Sequence, residues 1–173
     1  INGLNIRPLV SIVMNFTKPT ASKPSLLTFD EVTTFLHEFG HSLHGMLSQC
    51  TYNSTGGTNV YRDFVELPSQ LMENWALEKE WLDTWAVHYQ TGEKIPQEYI
   101  TRIREAANFQ SGYQSDRQLS FGIVDMAWHS ITSPVSGSVQ EFESQAMKST
   151  ETFPAVDSSC FSTGFGHIFG GGY

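Results

Sequence analysis

The segment from Thr28 to Ser48 constrains the fold more than any other part of the sequence, because it carries both the start signal and the apolar pattern of a long helix. Thr28 is followed three residues later by Glu31, which is the spacing of a capping box. Apolar side chains then recur with helical periodicity at positions 32, 35, 36, 39, 43, 46 and 47. We predict one substantially buried helix over this segment.

The predicted helix contains the motif His37-Glu38-Phe39-Gly40-His41. Residues four apart lie one turn apart on one face of a helix, so both imidazoles can reach a single Zn²⁺. Glu38 is rotated by about 100° from His37 and would stand beside the metal, where it could take a proton from a water that the metal activates. The alternative is a pair of surface histidines beside a solvated glutamate, which the apolar neighbours of the motif disfavour. We therefore predict one zinc ion per chain.

The residues alone leave two kinds of candidate for the third zinc ligand. His44 is near the motif, but it lies about 10 Å along the helix axis from His37, which favours a packed or supporting role over ligation. A carboxylate from the next predicted helix is the other candidate, either Glu66 or Glu73. Glu66 could instead belong to a capping box that starts at position 63, but Pro68 would then fall inside the helix, where an amide hydrogen is needed. The residues favour Glu66 and leave Glu73 open.

The rest of the sequence predicts a mainly α fold with a small N-terminal β element. Residues 4–17 are rich in Val and Ile and read as short strands, residues 51–59 read as a loop, and residues 149–173 are loop-like. Four further helices are predicted, from near Glu66 to about Gln90, from Pro96 to about Phe109, from about Gln114 to Ser130, and from Val139 to Lys148. The aromatic residues in the first of these are expected to lie in the core: Trp75, Trp81, Trp85 and Tyr89.

Composition excludes several classes of function. The chain of 173 residues has a net charge of −8, whereas nucleic-acid binding needs a basic face. No apolar run approaches the roughly 20 residues needed to span a bilayer. Cys50 and Cys160 have neither the spacing of a disulfide framework nor that of a zinc knuckle. We expect a cytoplasmic protein that binds neither nucleic acid nor membrane, and the sequence does not determine its oligomeric state.

Three segments together indicate a family. They are residues 27–45 (LTFDEVTTFLHEFGHSLHG), residues 57–75 (GTNVYRDFVELPSQLMENW) and residues 165–173 (FGHIFGGGY). These segments resemble the thimet oligopeptidase and peptidyl-dipeptidase family of zinc peptidases, and the resemblance covers nearly the whole chain. Within that family the first two segments favour the bacterial peptidyl-dipeptidase branch, also called dipeptidyl carboxypeptidases, over the endo-acting oligopeptidases.

The resemblance implies a role for each site residue. His37, His41 and Glu66 would be the zinc ligands, and Glu38 the general base. His167 would contact the substrate near the scissile carbonyl. The branch that the sequence resembles removes dipeptides from the free C-termini of short peptides, while the alternative is internal cleavage.

The resemblance also implies a role for the end of the chain and an incomplete enzyme. Tyr173 aligns with a family tyrosine on the glycine-rich loop and is a candidate substrate contact. We expect residues 1–173 to be a single catalytic-domain fragment of a larger peptidase, without the helical N-terminal half and the C-terminal end. Such a fragment would have little or no activity, and it would then act only as a zinc- or peptide-binding module.

Overall fold

The computed structural model describes residues 6–154, 156 and 158–171. The chain is mainly helical, as predicted, and it divides into two compact units, Ile1–Arg104 and Glu105–Tyr173. Among the described residues, no helix combines the length and the apolarity that a membrane crossing requires. The described part of the chain forms eight α-helices: α1 (Phe29–Leu47), α2 (Arg62–Val65), α3 (Leu67–Glu73), α4 (Lys79–Leu82), α5 (Gln97–Ala106), α6 (Ser111–His129), α7 (Val139–Met147) and α8 (Phe161–Gly164).

Helix α1 begins at the predicted capping box. The Glu31 N–H donates to Thr28 Oγ1 at 3.2 Å, and the Thr28 N–H donates to Glu31 Oε2 at 2.8 Å. The other carboxylate oxygen of Glu31 accepts from the N–H and the hydroxyl of Thr17 at 2.8 and 2.9 Å. The backbone N–H of Thr28, followed by that of Thr17, holds the pKa of Glu31 below its ordinary value. The predicted start of α1 is confirmed, and its end at Leu47 is within one residue of the prediction.

The predicted N-terminal strands are wrong over residues 6–17, which form no strand in the structure. This segment is held along α1 instead. The Arg7 guanidinium donates to the carbonyl oxygen of Met46 at 2.9 Å near the end of the helix, and Thr17 binds Glu31 near its start. A strand needs a neighbouring strand to satisfy its backbone groups, and alternating Val and Ile cannot supply one. Residues 4 and 5 of the prediction lie outside the described residues.

The single helix predicted from Glu66 to Gln90 is also wrong. The chain forms α3, a 3₁₀ turn at Asn74–Leu77, and the short helix α4. Pro68 lies in the first turn of α3, where its missing amide hydrogen removes no helical hydrogen bond. The break before α4 occurs at Glu78, whose backbone is extended with a ψ of 115°. Glu66 lies at the junction of two short helices, as the C-cap of α2 and the N-cap of α3.

The aromatic residues of this region do not form a core. Trp75, Trp85 and Tyr89 are 49%, 42% and 45% exposed, so the prediction that they are buried is wrong. Trp81 lies against Trp85, with ring centroids 5.0 Å apart. The prediction depended on a continuous helix that would align these side chains on one face, and the break at Glu78 removes that alignment.

The last three predicted helices are confirmed, with bounds that differ by at most three residues. They are α5, α6 and α7, and α7 begins with a second capping box formed by Ser138 and Glu141. The predicted loop at the end of the chain contains α8 and a 3₁₀ turn at Gly166–Ile168. In this unit the rings of Phe121, Phe161 and Phe165 lie 4.6 to 5.2 Å from one another.

A buried carboxylate anchors α8 to α7. Glu143 on α7 is 8% exposed, and its oxygens accept from the backbone N–H groups of Phe161 at 2.9 Å and Ser162 at 2.8 Å. These donors are the free N–H groups at the start of α8. Burial alone would raise the pKa of Glu143, but the N–H groups of Ser162 and Phe161 more than compensate, so its pKa lies below the ordinary value.

We expect Glu143→Gln to lower the free energy of unfolding at neutral pH by about 1.5–3 kcal/mol, the contribution of hydrogen bonds to a charged group. Because the pKa of Glu143 is lower in the folded chain, its stabilisation is fully present above the unfolded-state pKa of about 4.3 and is lost as the pH falls through the folded-state value. Urea unfolding of both proteins between about pH 7 and pH 3 measures this, and the difference should shrink with acidification. A difference that is constant with pH would contradict the prediction; Glu151→Gln, at an exposed position, is the control.

Candidate metal centre

Three donor side chains converge between α1 and the junction of α2 with α3. His37 and His41 lie one turn apart on α1, with ring centroids 4.9 Å apart. The Oε2 atom of Glu66 lies 3.1 Å from His37 Nε2 and 3.0 Å from His41 Nε2. Each of the three residues offers one ligand atom, and these atoms all lie within 4.8 Å of one another. All three side chains are partly buried.

The close approach of α1 and α3 depends on Gly40. A Cβ atom at Gly40 would lie 2.5 Å from the carbonyl oxygen of Pro68 and 2.6 Å from the Cα of Ser69. These distances leave no room for any side chain, so the two helices touch through their backbones. Gly40 lies between His37 and His41 in sequence, and Pro68 follows Glu66 by two residues. The backbone contact therefore brings the carboxylate within reach of the two imidazoles.

Ser69 supports the Glu66 carboxylate. Its side chain is fully buried, and its hydroxyl lies 2.7 Å from Glu66 Oε2 and 2.9 Å from the carbonyl oxygen of Glu66. The hydroxyl has one hydrogen to donate, and it can donate it to Glu66 Oε2. This is the oxygen atom that also faces both histidines. Neither Ser69 nor Gly40 was predicted from the sequence as part of the site. The available signal was the presence of small residues inside two motifs that otherwise carry large side chains.

Glu73 occupies a different place from Glu66. Its Oε1 atom lies 2.6 Å from His37 Nδ1, on the opposite side of the ring from Glu66. Glu66 and Glu73 are seven residues apart, which is close to two helical turns, so both face α1. The geometry separates the two carboxylates that the sequence left as alternatives, because only Glu66 reaches both Nε2 atoms.

His44 and Asp30 lie apart from this group. The His44 ring packs against Phe64, with centroids 6.3 Å apart, and His44 is not among the converging donors found in the described part of the chain. Asp30 is exposed in the first turn of α1, where the helix dipole stabilises an acidic side chain. In the described part of the chain, the Nδ1 atoms of His41 and His44 have no hydrogen-bond partner.

The other predicted site residues are placed as follows. Glu38 is partly buried on α1, next to His37 in sequence and about 100° around the helix from it. His167 is exposed in the second unit, in the 3₁₀ turn Gly166–Ile168, with its ring 5.7 Å from that of Phe165. Tyr173 lies outside the described residues. The catalytic and substrate-binding roles of these three residues remain predictions.

The converging donors have the chemistry of a zinc site. Two imidazole nitrogens and one carboxylate oxygen form the ligand set of many hydrolytic zinc centres, in which the fourth position is open to water or substrate. The donor atoms also lie close enough together that one ion can contact all of them after small adjustments of the side chains. The residues of this chain therefore fit a zinc ion.

Comparisons with known proteins agree with this chemistry. The model of the family described as peptidase family M3 matches residues 4–173. The dipeptidyl carboxypeptidase of Salmonella typhimurium is 43% identical over 169 residues, which cover 96% of this chain and 25% of the relative. Oligopeptidase A of Haemophilus influenzae is 41% identical over 179 residues, which cover 100% of this chain and 26% of the relative. A protein named probable cytosolic oligopeptidase A in Arabidopsis thaliana is 40% identical, over 99% of this chain and 25% of the relative.

The chain thus spans about a quarter of the length of these relatives. The family match covers nearly all of its residues, including the two histidines and Glu66 of the candidate metal centre. This chain belongs to peptidase family M3, a family of metallopeptidases.

Proposed function

We propose that this chain carries the zinc centre of a peptidase that hydrolyses short peptides and releases dipeptides from their free C-termini. His37, His41 and Glu66 would hold one zinc ion. The observation that carries the proposal is the convergence of two Nε2 atoms on one carboxylate oxygen, at 3.1 and 3.0 Å. Residues 1–173 would form a single part of the catalytic domain of such a cytoplasmic peptidase.

A bound zinc ion would supply Lewis-acid polarisation of the peptide carbonyl and of the attacking water. Glu38 would act as the general base. Its position beside His37 on α1 puts the carboxylate next to the ligands without making it one of them. It would accept the proton that the water loses as it attacks the carbonyl carbon, and would donate that proton to the nitrogen of the leaving amine. The carboxylate thus ends the reaction in the state in which it began.

His167 and Tyr173 would act on the substrate. An imidazole N–H or a phenol O–H can donate a hydrogen bond to a peptide carbonyl and thereby orient it for attack. The glycine-rich sequence around both residues lets a backbone approach a ligand closely. Their roles rest on the family resemblance of residues 165–173.

The second candidate function is internal cleavage of peptides. The comparisons support it about as well as the first, because oligopeptidase A of Haemophilus influenzae is 41% identical to this chain and the dipeptidyl carboxypeptidase of Salmonella typhimurium 43%. Two percentage points do not separate the two modes of cleavage.

One experiment distinguishes these functions. The chain is loaded with one equivalent of zinc and mixed with two forms of each peptide, one with a free C-terminus and one with an amidated C-terminus. We expect little or no turnover from residues 1–173 alone, and any dipeptide that they release should come from the free form only, because a dipeptidyl carboxypeptidase must recognise the terminal carboxylate. Mass spectrometry of the products measures the result, and the Glu38→Gln chain is the control for hydrolysis by contaminants.

The other outcomes of this experiment distinguish the remaining functions. Internal cleavage of both forms would support the oligopeptidase alternative. Stoichiometric zinc without turnover of either peptide would support the binding-only module. Failure of the chain to bind zinc would contradict the proposed function in all its forms.

A further inference from the structure

We infer that Glu73 is the positioning residue of His37: its carboxylate accepts the Nδ1–H of the ring and thereby turns Nε2 towards the zinc site. This inference rests on the proposed function, because it assigns Nε2 of His37 to the metal. Glu73 contacts His37, a proposed zinc ligand, and does not contact the reacting atoms.

The contacts of the His37 ring carry the inference. Nδ1 lies 2.6 Å from Glu73 Oε1, and Nε2 lies 3.1 Å from Glu66 Oε2. A neutral imidazole has one N–H donor and one lone-pair nitrogen, and an ionised carboxylate can only accept. The nitrogen beside Glu73 must then carry the hydrogen in the zinc-loaded chain, which leaves the lone pair of Nε2 for the cation. Hydrogen bonding of the second ring nitrogen to a carboxylate is a common way to fix the orientation of a histidine ligand.

The fold gives Glu73 this place and Glu66 the other. On α1, His37 precedes Gly40. Their partners on α3 follow the reverse order, because Gly40 contacts Pro68 and Ser69 near the start of α3 and His37 contacts Glu73 at its end. The two helices thus run in opposite directions where they touch. The seven-residue spacing then holds one carboxylate on each side of the His37 ring.

The two histidines are not equivalent in this respect. Among the described residues, Nδ1 of His41 has no hydrogen-bond partner, whereas Nδ1 of His37 lies 2.6 Å from Glu73 Oε1. An effect of Glu73 on zinc binding should therefore act through His37 alone. This dependence separates a positioning role from a general effect on folding or charge.

A substitution series at position 73 tests the inference by zinc affinity, measured in competition with a chromophoric chelator. Glu73→Gln keeps the length and an acceptor oxygen but loses the charge, whereas Glu73→Asp keeps the charge but is too short for the 2.6 Å contact. We expect Glu73→Ala and Glu73→Asp to weaken zinc binding by about 10- to 100-fold, the usual effect of losing such a supporting hydrogen bond, and Glu73→Gln to weaken it less. Glu80→Gln, at an exposed position on α4, is the matched control and should bind as the unaltered chain does.

Two results would overturn the role of Glu73. One is unchanged affinity in Glu73→Ala. The other is a reversed order of zinc affinities, with normal binding by Glu73→Asp and equal losses in Glu73→Gln and Glu73→Ala. That order would mean that only the charge at position 73 matters. Circular dichroism of each variant verifies that the helices are intact.

A double-mutant comparison provides the second readout. Adding Glu73→Ala to His41→Ala should weaken zinc binding further, while adding it to His37→Ala should not, because the ring that it positions is absent. Equal additional losses in both backgrounds would overturn the inference. If the unaltered chain binds no zinc, the proposed function fails as well; if it binds zinc and only the Glu73 series behaves otherwise than expected, the proposed function stands.

Discussion

Glu66→Ala is expected to weaken zinc binding by on the order of 100- to 1,000-fold. Zinc sites with four protein ligands bind with roughly 10–16 kcal/mol, or about 2.5–4 kcal/mol for each ligand, and about 1.4 kcal/mol corresponds to tenfold in affinity. Glu66 is the one carboxylate among the described residues that joins both histidines in the converging group, so its loss leaves two donors. Competition with a chromophoric chelator and metal analysis after dialysis both measure the effect.

His44→Ala is the matched control for this prediction. His44 lies on the same helix and three residues beyond His41, but it packs against Phe64 and does not belong to the converging group. We expect the His44→Ala chain to keep its zinc. Retention of zinc by Glu66→Ala together with loss from His44→Ala would mean that the third ligand is the histidine, and would exclude the site proposed here.

The parts of the fold that the sequence predicted are those that local interactions determine. The capping box at Thr28 and Glu31, and the apolar period that follows, act within a few residues, and α1 begins and ends where they indicate. The placement of His37 and His41 on one face follows from the helix alone. For the same reason the predicted bounds of α5, α6 and α7 differ little from those of the structure.

The parts that failed depend on contacts between distant residues. Residues 6–17 have the composition of strands, but whether strands form depends on a partner, and here the chain follows α1 instead. The aromatic residues after Glu73 have helical spacing, yet a change of ψ at Glu78 ends their common face. Local propensity contains no information on either event.

The candidate site shows the same division. Composition and motif left Glu66 and Glu73 as alternatives, because both are carboxylates and both were predicted to lie on the same helix. The difference between them is set by the register of α3 against α1, which is determined where Gly40 meets Pro68 and Ser69. That register depends on a contact between residues distant in the chain, so it cannot be predicted from local sequence patterns.

Gly40→Ala is therefore expected to lower the free energy of unfolding and to weaken zinc binding in the same variant. The new Cβ would lie 2.5 Å from a backbone oxygen, whereas ordinary contacts begin at 3.4 Å, so α1 and α3 must separate locally by about 1 Å. Alanine gains about 1 kcal/mol over glycine in helix propensity, but overpacking against backbone costs about 1–3 kcal/mol or more and no rotamer change relieves it. Because the clash is with backbone, the cost lies in the upper part of that range, and the expected net loss is about 1–2 kcal/mol.

The loss of zinc affinity follows from the same displacement. Ligand distances in a metal site must hold to within about 0.2 Å, so a shift of about 1 Å at the Pro68 contact moves Glu66 out of its place unless the chain readjusts. Urea unfolding and chelator competition measure the two effects.

Gly122→Ala is the control for the prediction at Gly40, because Gly122 lies inside α6 and a Cβ there would meet nothing within 4 Å. That variant should gain stability from helix propensity alone and keep its zinc. If Gly40→Ala were as stable as Gly122→Ala and bound zinc equally well, the backbone contact at Gly40 would not be what holds the carboxylate of Glu66 against the two imidazoles.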